Sequence, residues 1–106
     1  MKLVAIFVTF WKLNPGVPPA EVSRIAATLL QKGLYPPAGV KVLAWYLCPG
    51  GKGVSIVDIP NGDSATAFKS WLAWVMEKAV FSEYEAMPAI TAEEAIKMVA
   101  AQAGKG

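Results

Sequence analysis

Asp58 has the clearest potential for chemistry, because it is the only acidic residue in the first three predicted strands. It lies in a run of aliphatic side chains: Val54, Ile56, Val57 and Ile59. A carboxylate removed from water has a raised pKa and is suited to accept a proton. Asp58 is therefore a candidate catalytic base or ligand anchor at the rim of a cavity. The alternative is a strand-end aspartate that faces water or pairs with a lysine.

Aromatic side chains form a second group of candidates. Trp11, Trp45 and Tyr46 fall on predicted strands and could line a pocket for a flat or apolar ligand, and Tyr84 could supply a hydroxyl to the same cavity. The alternatives are core packing for the first three and a surface position for Tyr84. We predict that Trp11, Trp45, Tyr46, Asp58 and Tyr84 bind the ligand.

Two tryptophans of the second predicted helix indicate a contact between chains. On a helical wheel Trp74 falls nearly opposite Leu72 and away from the predicted core stripe, and Trp71 lies on the flank between them. Tryptophan is favoured at protein interfaces, so this pair predicts a second contact surface. The alternative is that the C-terminal helix of the same or a neighbouring chain covers both rings.

The composition excludes several kinds of chemistry. Histidine is absent, which removes the commonest metal ligand and the usual general base, and the single cysteine, Cys48, has no histidine to activate it. We therefore predict no metal site, no cofactor and no serine or cysteine triad. The glycine-rich segment 50–53 joins two predicted strands, whereas a phosphate loop needs a following helix.

The net charge and the hydropathy of the chain also limit the kinds of partner that the protein is expected to bind. The net charge is only +2 with scattered lysines, and Val54 and Ile56 stand where an RNA-recognition fold has stacking aromatics, so we expect no nucleic acid. No uncharged apolar run approaches the ~20 residues that span a bilayer, and the N-terminus lacks a small-residue cleavage site. We expect a soluble, cytoplasmic protein without a membrane partner.

The hydrophobic pattern predicts the order strand, helix, strand, strand, helix, strand, helix. The predicted strands are 1–12, 40–48, 54–59 and a segment within 81–90. The first helix begins near Pro19 or Ala20 and stops at Gly33, the second is capped by Asp63 or Ser64, and a capping box at 91–94 opens the last. This is the order of the ferredoxin-like α+β fold, a four-stranded antiparallel sheet with both main helices on one face, in a single domain of residues 1–106.

Each predicted helix carries an apolar stripe. The first is expected to bury Val22, Ile25, Ala26 and Leu29, the second Ala65, Phe68, Leu72, Val75, Met76 and Ala79, and the last Ala92, Ala95, Ile96 and Val99.

The first predicted strand is apolar on both faces. Val4, Ile6, Val8 and Phe10 alternate with Leu3, Ala5, Phe7 and Trp11, and only Thr9 is polar. A strand with one solvated face would alternate apolar and polar residues, so both faces should be covered. Because the two main helices cover one face only, we expect a homodimer in which two sheets pack face to face.

Three segments carry a resemblance to a known family. Residues 9–12 read Thr-Phe-Trp-Lys and are followed by Asn-Pro-Gly at 14–16. Residues 33–43 lead into Trp45, and a glycine-rich hairpin precedes a strand that ends at residues 57–59. In these features, over roughly residues 1–97, the chain resembles the dimeric α+β barrel superfamily, and within it a family known only as a domain of unknown function. Members often carry Arg-Trp-His in the second strand, where this chain has Ala44, Trp45 and Tyr46.

The resemblance implies a homodimeric α+β barrel, and the residues leave three functions open. The first is binding of a small apolar or aromatic ligand in a cavity against the sheet. The alternative is a cofactor-independent monooxygenase or isomerase of the superfamily, with Asp58 or a tyrosine transferring the proton. The third is a structural or assembly module, in which Trp71 and Trp74 build higher oligomers.

Overall fold

A computed structural model describes residues 5–104. The elements are, in order, β1 (Ile6–Leu13), α1 (Pro19–Gln31), β2 (Lys41–Cys48), β3 (Lys52–Asp58), a 3-10 turn (Pro60–Gly62), α2 (Ser64–Val75), β4 (Phe81–Ala89) and α3 (Ala92–Gly104). The predicted order of strands and helices is confirmed. The part of the first predicted strand at residues 1–4 lies outside the described residues.

The four strands form one antiparallel sheet in the order β2-β3-β1-β4. This arrangement of four antiparallel strands and three helices confirms the predicted α+β class and is compatible with a ferredoxin-like fold. Thr9 of β1 lies opposite Ser55 of β3 and Ala86 of β4. Because directly opposite residues share a face, this register decides which side chains meet on each side of the sheet.

The core lies between one face of the sheet and the helices. Ile25 and Leu29 of α1 are buried against Tyr35, Trp74 and Val80. Val22 and Ala26 pack against the same cluster, so the predicted inward face of α1 is confirmed.

Gly33 ends α1 in the left-handed region, with φ 67°. The amide of Leu34 then donates to the carbonyl of Leu29 at 2.9 Å. This is the closure expected where a glycine follows the last helical turn, because glycine has no Cβ to oppose a positive φ.

The predicted inward face of α2 is wrong. Phe68 and Met76, placed in the core by the sequence pattern, are 59% and 74% exposed, whereas Trp74 is only 8% exposed. The inner side of the helix carries Ser70 and Trp74, both of them buried. Burying one tryptophan removes more apolar surface than burying a methionine, and small residues on the same side leave room for its ring.

α3 begins where the sequence predicts, and its side chains are largely exposed to solvent. The hydroxyl of Thr91 accepts a hydrogen bond from the amide of Glu94 at 3.1 Å, which caps the first turn. Among residues 92–104, as the structure describes them, none is buried, and Ile96 and Val99 of the predicted apolar side are exposed. Neither α3 nor any other helix within residues 5–104 is long and apolar enough to cross a membrane.

Candidate functional site

A cavity of about 410 Å³ lies between the sheet and the two main helices. Its floor is the sheet face that carries Phe7, Thr9 and Trp11 of β1, and α1 and α2 contribute Ala26 and Ser70 to the opposite side. Five further aromatic side chains complete the walls: Tyr35, Trp45, Trp74, Phe81 and Tyr84.

The aromatic rings contact one another around the cavity. The centroids of Tyr35 and Trp45 and those of Tyr35 and Trp74 are each 5.3 Å apart, and those of Phe81 and Tyr84 are 5.1 Å apart. The rings of these pairs are tilted or edge-to-face, which aromatic quadrupoles favour over parallel stacking. Trp45 lines the cavity and is also 39% exposed.

Four aliphatic hydroxyl side chains interrupt this apolar lining, and one of them, Ser23, is exposed. Thr9, Ser55 and Ser70 are buried and border the cavity. Ser55 accepts a hydrogen bond from the indole Nε1 of Trp11 at 3.1 Å. The bond holds the Trp11 ring in place, and Gly53 makes room for it, since a Cβ at position 53 would collide with the ring.

This close approach makes Gly53→Ala a sensitive substitution. We expect it to displace Trp11 and to lower the free energy of unfolding by about 1–3 kcal/mol, the usual cost of overpacking. Urea denaturation measures the change, and Gly104→Ala is the matched control, because a methyl there meets nothing within 4 Å. Equal stabilities of the two variants would contradict the close approach of Trp11 to Gly53.

Burial raises the pKa of the two phenols that line the cavity. Removal from water raises the pKa of Tyr35 to about 12, with a further contribution from the nearby Tyr84 and an opposing one from Ser55. Burial also raises the pKa of Tyr84, and the adjacent Thr9 hydroxyl partly opposes it. Both side chains are neutral at physiological pH, as a phenol with the ordinary pKa of about 10 already is, and can donate a hydrogen bond.

The cavity gathers three of the five predicted ligand-binding residues. Trp11, Trp45 and Tyr84 line it, whereas Asp58 and Tyr46 do not. Asp58 lies directly opposite Ile6 and Tyr46 opposite Val54, on the other face of the sheet. This corrects the expected place of Asp58 at a cavity rim, because strand alternation turns it away from Val57, which faces the cavity. Its carboxylate accepts instead from the amide of Ala5 at 3.3 Å.

The two tryptophans predicted at an interface occupy different environments. Trp74 is part of the cavity wall, so its expected outward position is corrected. Trp71 is half-buried, with its ring centroid 5.3 Å from that of Phe68 and 6.4 Å from that of Tyr84. Its contact with a second chain stays a prediction.

Sequence reasoning missed Tyr35, Phe81, Thr9 and Ser55 as cavity residues. Thr9 did carry a signal, since it is the one polar residue on an otherwise apolar strand. Tyr35 carried none, because it lies in a proline-rich loop between α1 and β2 and reaches the core only through the tertiary fold. Within residues 5–104 no group of three or more Cys, Asp or Glu side chains could hold a metal ion together.

The fold and cavity define an α+β domain with an aromatic-lined space beneath its helices. A family model described as "Domain of unknown function (DUF3303)" matches residues 5–103. The chain belongs to this family. No curated protein matches it.

Proposed function

We propose that this protein binds a small apolar or aromatic molecule in the cavity between the sheet and the helices. The observation that carries the proposal is a space of about 410 Å³ lined by seven aromatic rings. Small-molecule sites typically have volumes of roughly 300–1,000 Å³, mostly apolar walls and a few placed polar groups. The cavity has these properties, with Thr9, Ser55 and Ser70 as the polar groups.

The cavity gives less support to an enzymatic role than to ligand binding. A cofactor-independent monooxygenase or isomerase needs a group that takes up a proton from the substrate. Asp58 lies on the other face of the sheet, and the raised pKa values of Tyr35 and Tyr84 make both phenols poor bases at neutral pH. A purely structural module has no need for an aromatic cavity. Ligand binding is therefore the function that we put forward.

We further propose that the protein acts as a homodimer through the sheet face opposite the cavity. That face carries Ile6, Val8 and Phe10 of β1 beside Val54 and Ile56 of β3. Phe10 and Tyr46 of the same face are exposed. A second copy placed on this face would bury the apolar patch at its centre, a surface of the kind that obligate dimers use.

Binding of the neutral dye Nile red tests the ligand proposal. We expect its fluorescence to rise and shift to shorter wavelength with the wild-type protein and to rise much less with Ala26→Phe, because position 26 lines the cavity and a phenyl ring there would occupy space that the dye needs. Ala27→Phe is the matched control, since Ala27 follows Ala26 in the chain and its side chain is exposed. Equal dye binding by both variants would show that the dye occupies another apolar surface and would refute the proposal.

A further inference from the structure

The last helix, α3, extends away from the rest of the chain. Within residues 5–104 the extensive contacts between elements join the strands to one another and α1 to α2, and none of them involves α3. The radius of gyration is 16.3 Å, whereas a compact chain of about this length has roughly 13 Å. The apolar side of α3, with the exposed Ile96 and Val99, is therefore left without cover by the described part of the chain.

A groove of about 500 Å³ opens between α1 and α2, and we call it the α1–α2 groove. The buried side chains of Ile25 and Leu29 form its floor. The side chains of Leu34, Leu72 and Met76 border it and are exposed. The groove is thus a second apolar surface that the helices of the same chain leave open to solvent.

The α3 helix of the same chain cannot reach this groove. Leu72 and Met76 each lie about 200° around α2 from Trp74, which faces the cavity and the sheet, so the groove is on the outer side of the helices. Only Ile90 and Thr91 join β4 to α3, and two extended residues span at most about 7 Å. A layer of helices is about 10 Å thick, so only a second copy can place its α3 there.

The shape of α3 suits such a groove. Ile96 and Val99 are one helical turn apart and project from the same side, with Ala92 and Ala95 beside them. An amphipathic helix enters an apolar groove with a row of side chains of this spacing. The small alanines let the helix approach closely while the two larger side chains fill the space.

The charges beside the two apolar surfaces are also complementary. On α3 one flank of the apolar side carries Glu93 and, one turn later, Lys97. The rim of the α1–α2 groove carries Lys32, Lys69 and Glu77. Each charge on the flank therefore has a group of opposite sign on the rim, which favours one orientation of the helix in the groove.

We propose that α3 of one copy docks in the α1–α2 groove of a second copy. This contact is separate from the cavity and from the sheet-face dimer proposed above. A helix of 13 residues is about 20 Å long and 10 Å wide, so it covers on the order of 200 Å², against roughly 800 Å² per partner in a stable interface. The contact is therefore reversible, and it assembles larger species only at high protein concentration.

Sedimentation equilibrium at about 20 µM and about 1 mM protein tests the proposal, since these concentrations bracket a weak contact. We expect the weight-average mass of the wild-type protein to increase at the higher concentration. Ile96→Lys in α3 and Leu34→Lys in the groove should each abolish the increase. Met98→Lys, on the opposite side of α3, and Leu30→Lys, exposed on α1 outside the groove, are the matched controls and should retain it.

A mixture of the two defective variants identifies the surfaces that meet. Ile96→Lys keeps an intact groove and Leu34→Lys an intact α3, so an equimolar mixture should regain part of the increase that each variant lacks. A wild-type mass that does not increase, or a mixture without recovery, would refute the proposal. If α3 instead pairs with α3 of a second copy, Leu34→Lys alone still associates, which also contradicts the groove.

The same experiment keeps this proposal apart from the sheet-face dimer. The mass at about 20 µM reports that dimer, and the increase at about 1 mM reports the docking of α3. Either result can fail without the other. All four variants replace exposed side chains, so each is expected to fold, and circular dichroism confirms this for each variant.

Discussion

Replacing Trp74 by alanine is expected to lower the free energy of unfolding by about 3–5 kcal/mol, the range for deleting a large buried aromatic side chain. Trp74 is buried, and its ring centroid lies 5.3 Å from that of Tyr35 and 5.9 Å from that of Trp45. The substitution therefore removes the contact that links α2 to the loop before β2 and to β2 itself. Because small domains have only about 5–15 kcal/mol of stability, this loss would be large.

The control for this prediction is Met76→Ala, two residues further along the chain. Met76 is exposed, so we expect a change of about 0.5 kcal/mol or less. Urea denaturation followed by circular dichroism gives both values, and circular dichroism avoids the loss of a tryptophan signal. If Met76→Ala were the more destabilising variant, this would support the orientation of α2 predicted from the helical wheel and would contradict the position of Trp74 in the cavity wall. Should Trp74→Ala not fold, Trp74→Phe provides a milder comparison with the same expected order.

The second large effect concerns the open face of the sheet. In light scattering we expect the wild-type protein to have twice the 11.3 kDa mass of one chain, and Ile56→Lys to have the mass of one chain. Ile56 is central to that face, between Val8 of β1 and Ala44 of β2. A lysine there would place a charge in the middle of an apolar contact between two copies, where its desolvation is costly.

Ile96→Lys is the matched control for the dimer, because it makes the same change at an exposed position of α3. We expect this variant to remain a dimer. A wild-type protein that is monomeric at tens of micromolar would refute the face-to-face dimer. A dimer that survives Ile56→Lys and dissociates with Ile96→Lys would instead place the interface at the apolar side of α3.

The sequence predicted those features that depend on local patterns. The period of apolar residues distinguished strands from helices, and turn residues such as Gly33 ended them near the observed bounds. Trp11, Trp45 and Tyr84, chosen as large aromatic side chains on strands, line the cavity, whereas Tyr46, chosen on the same ground, lies on the other face of the sheet.

The sequence by itself determined the order of elements and the two apolar faces of β1, because a strand's alternation is a property of the chain alone. Only the tertiary structure decided which face of the sheet packs against the helices. This choice placed Val57 at the cavity and Asp58 on the opposite face. It also decided the rotation of α2 about its axis, since several stripes of that helix are apolar and the choice depends on how Trp74 packs between Tyr35 and Trp45. The aromatic cavity is built from residues that are far apart in the chain, so it forms only in the folded protein.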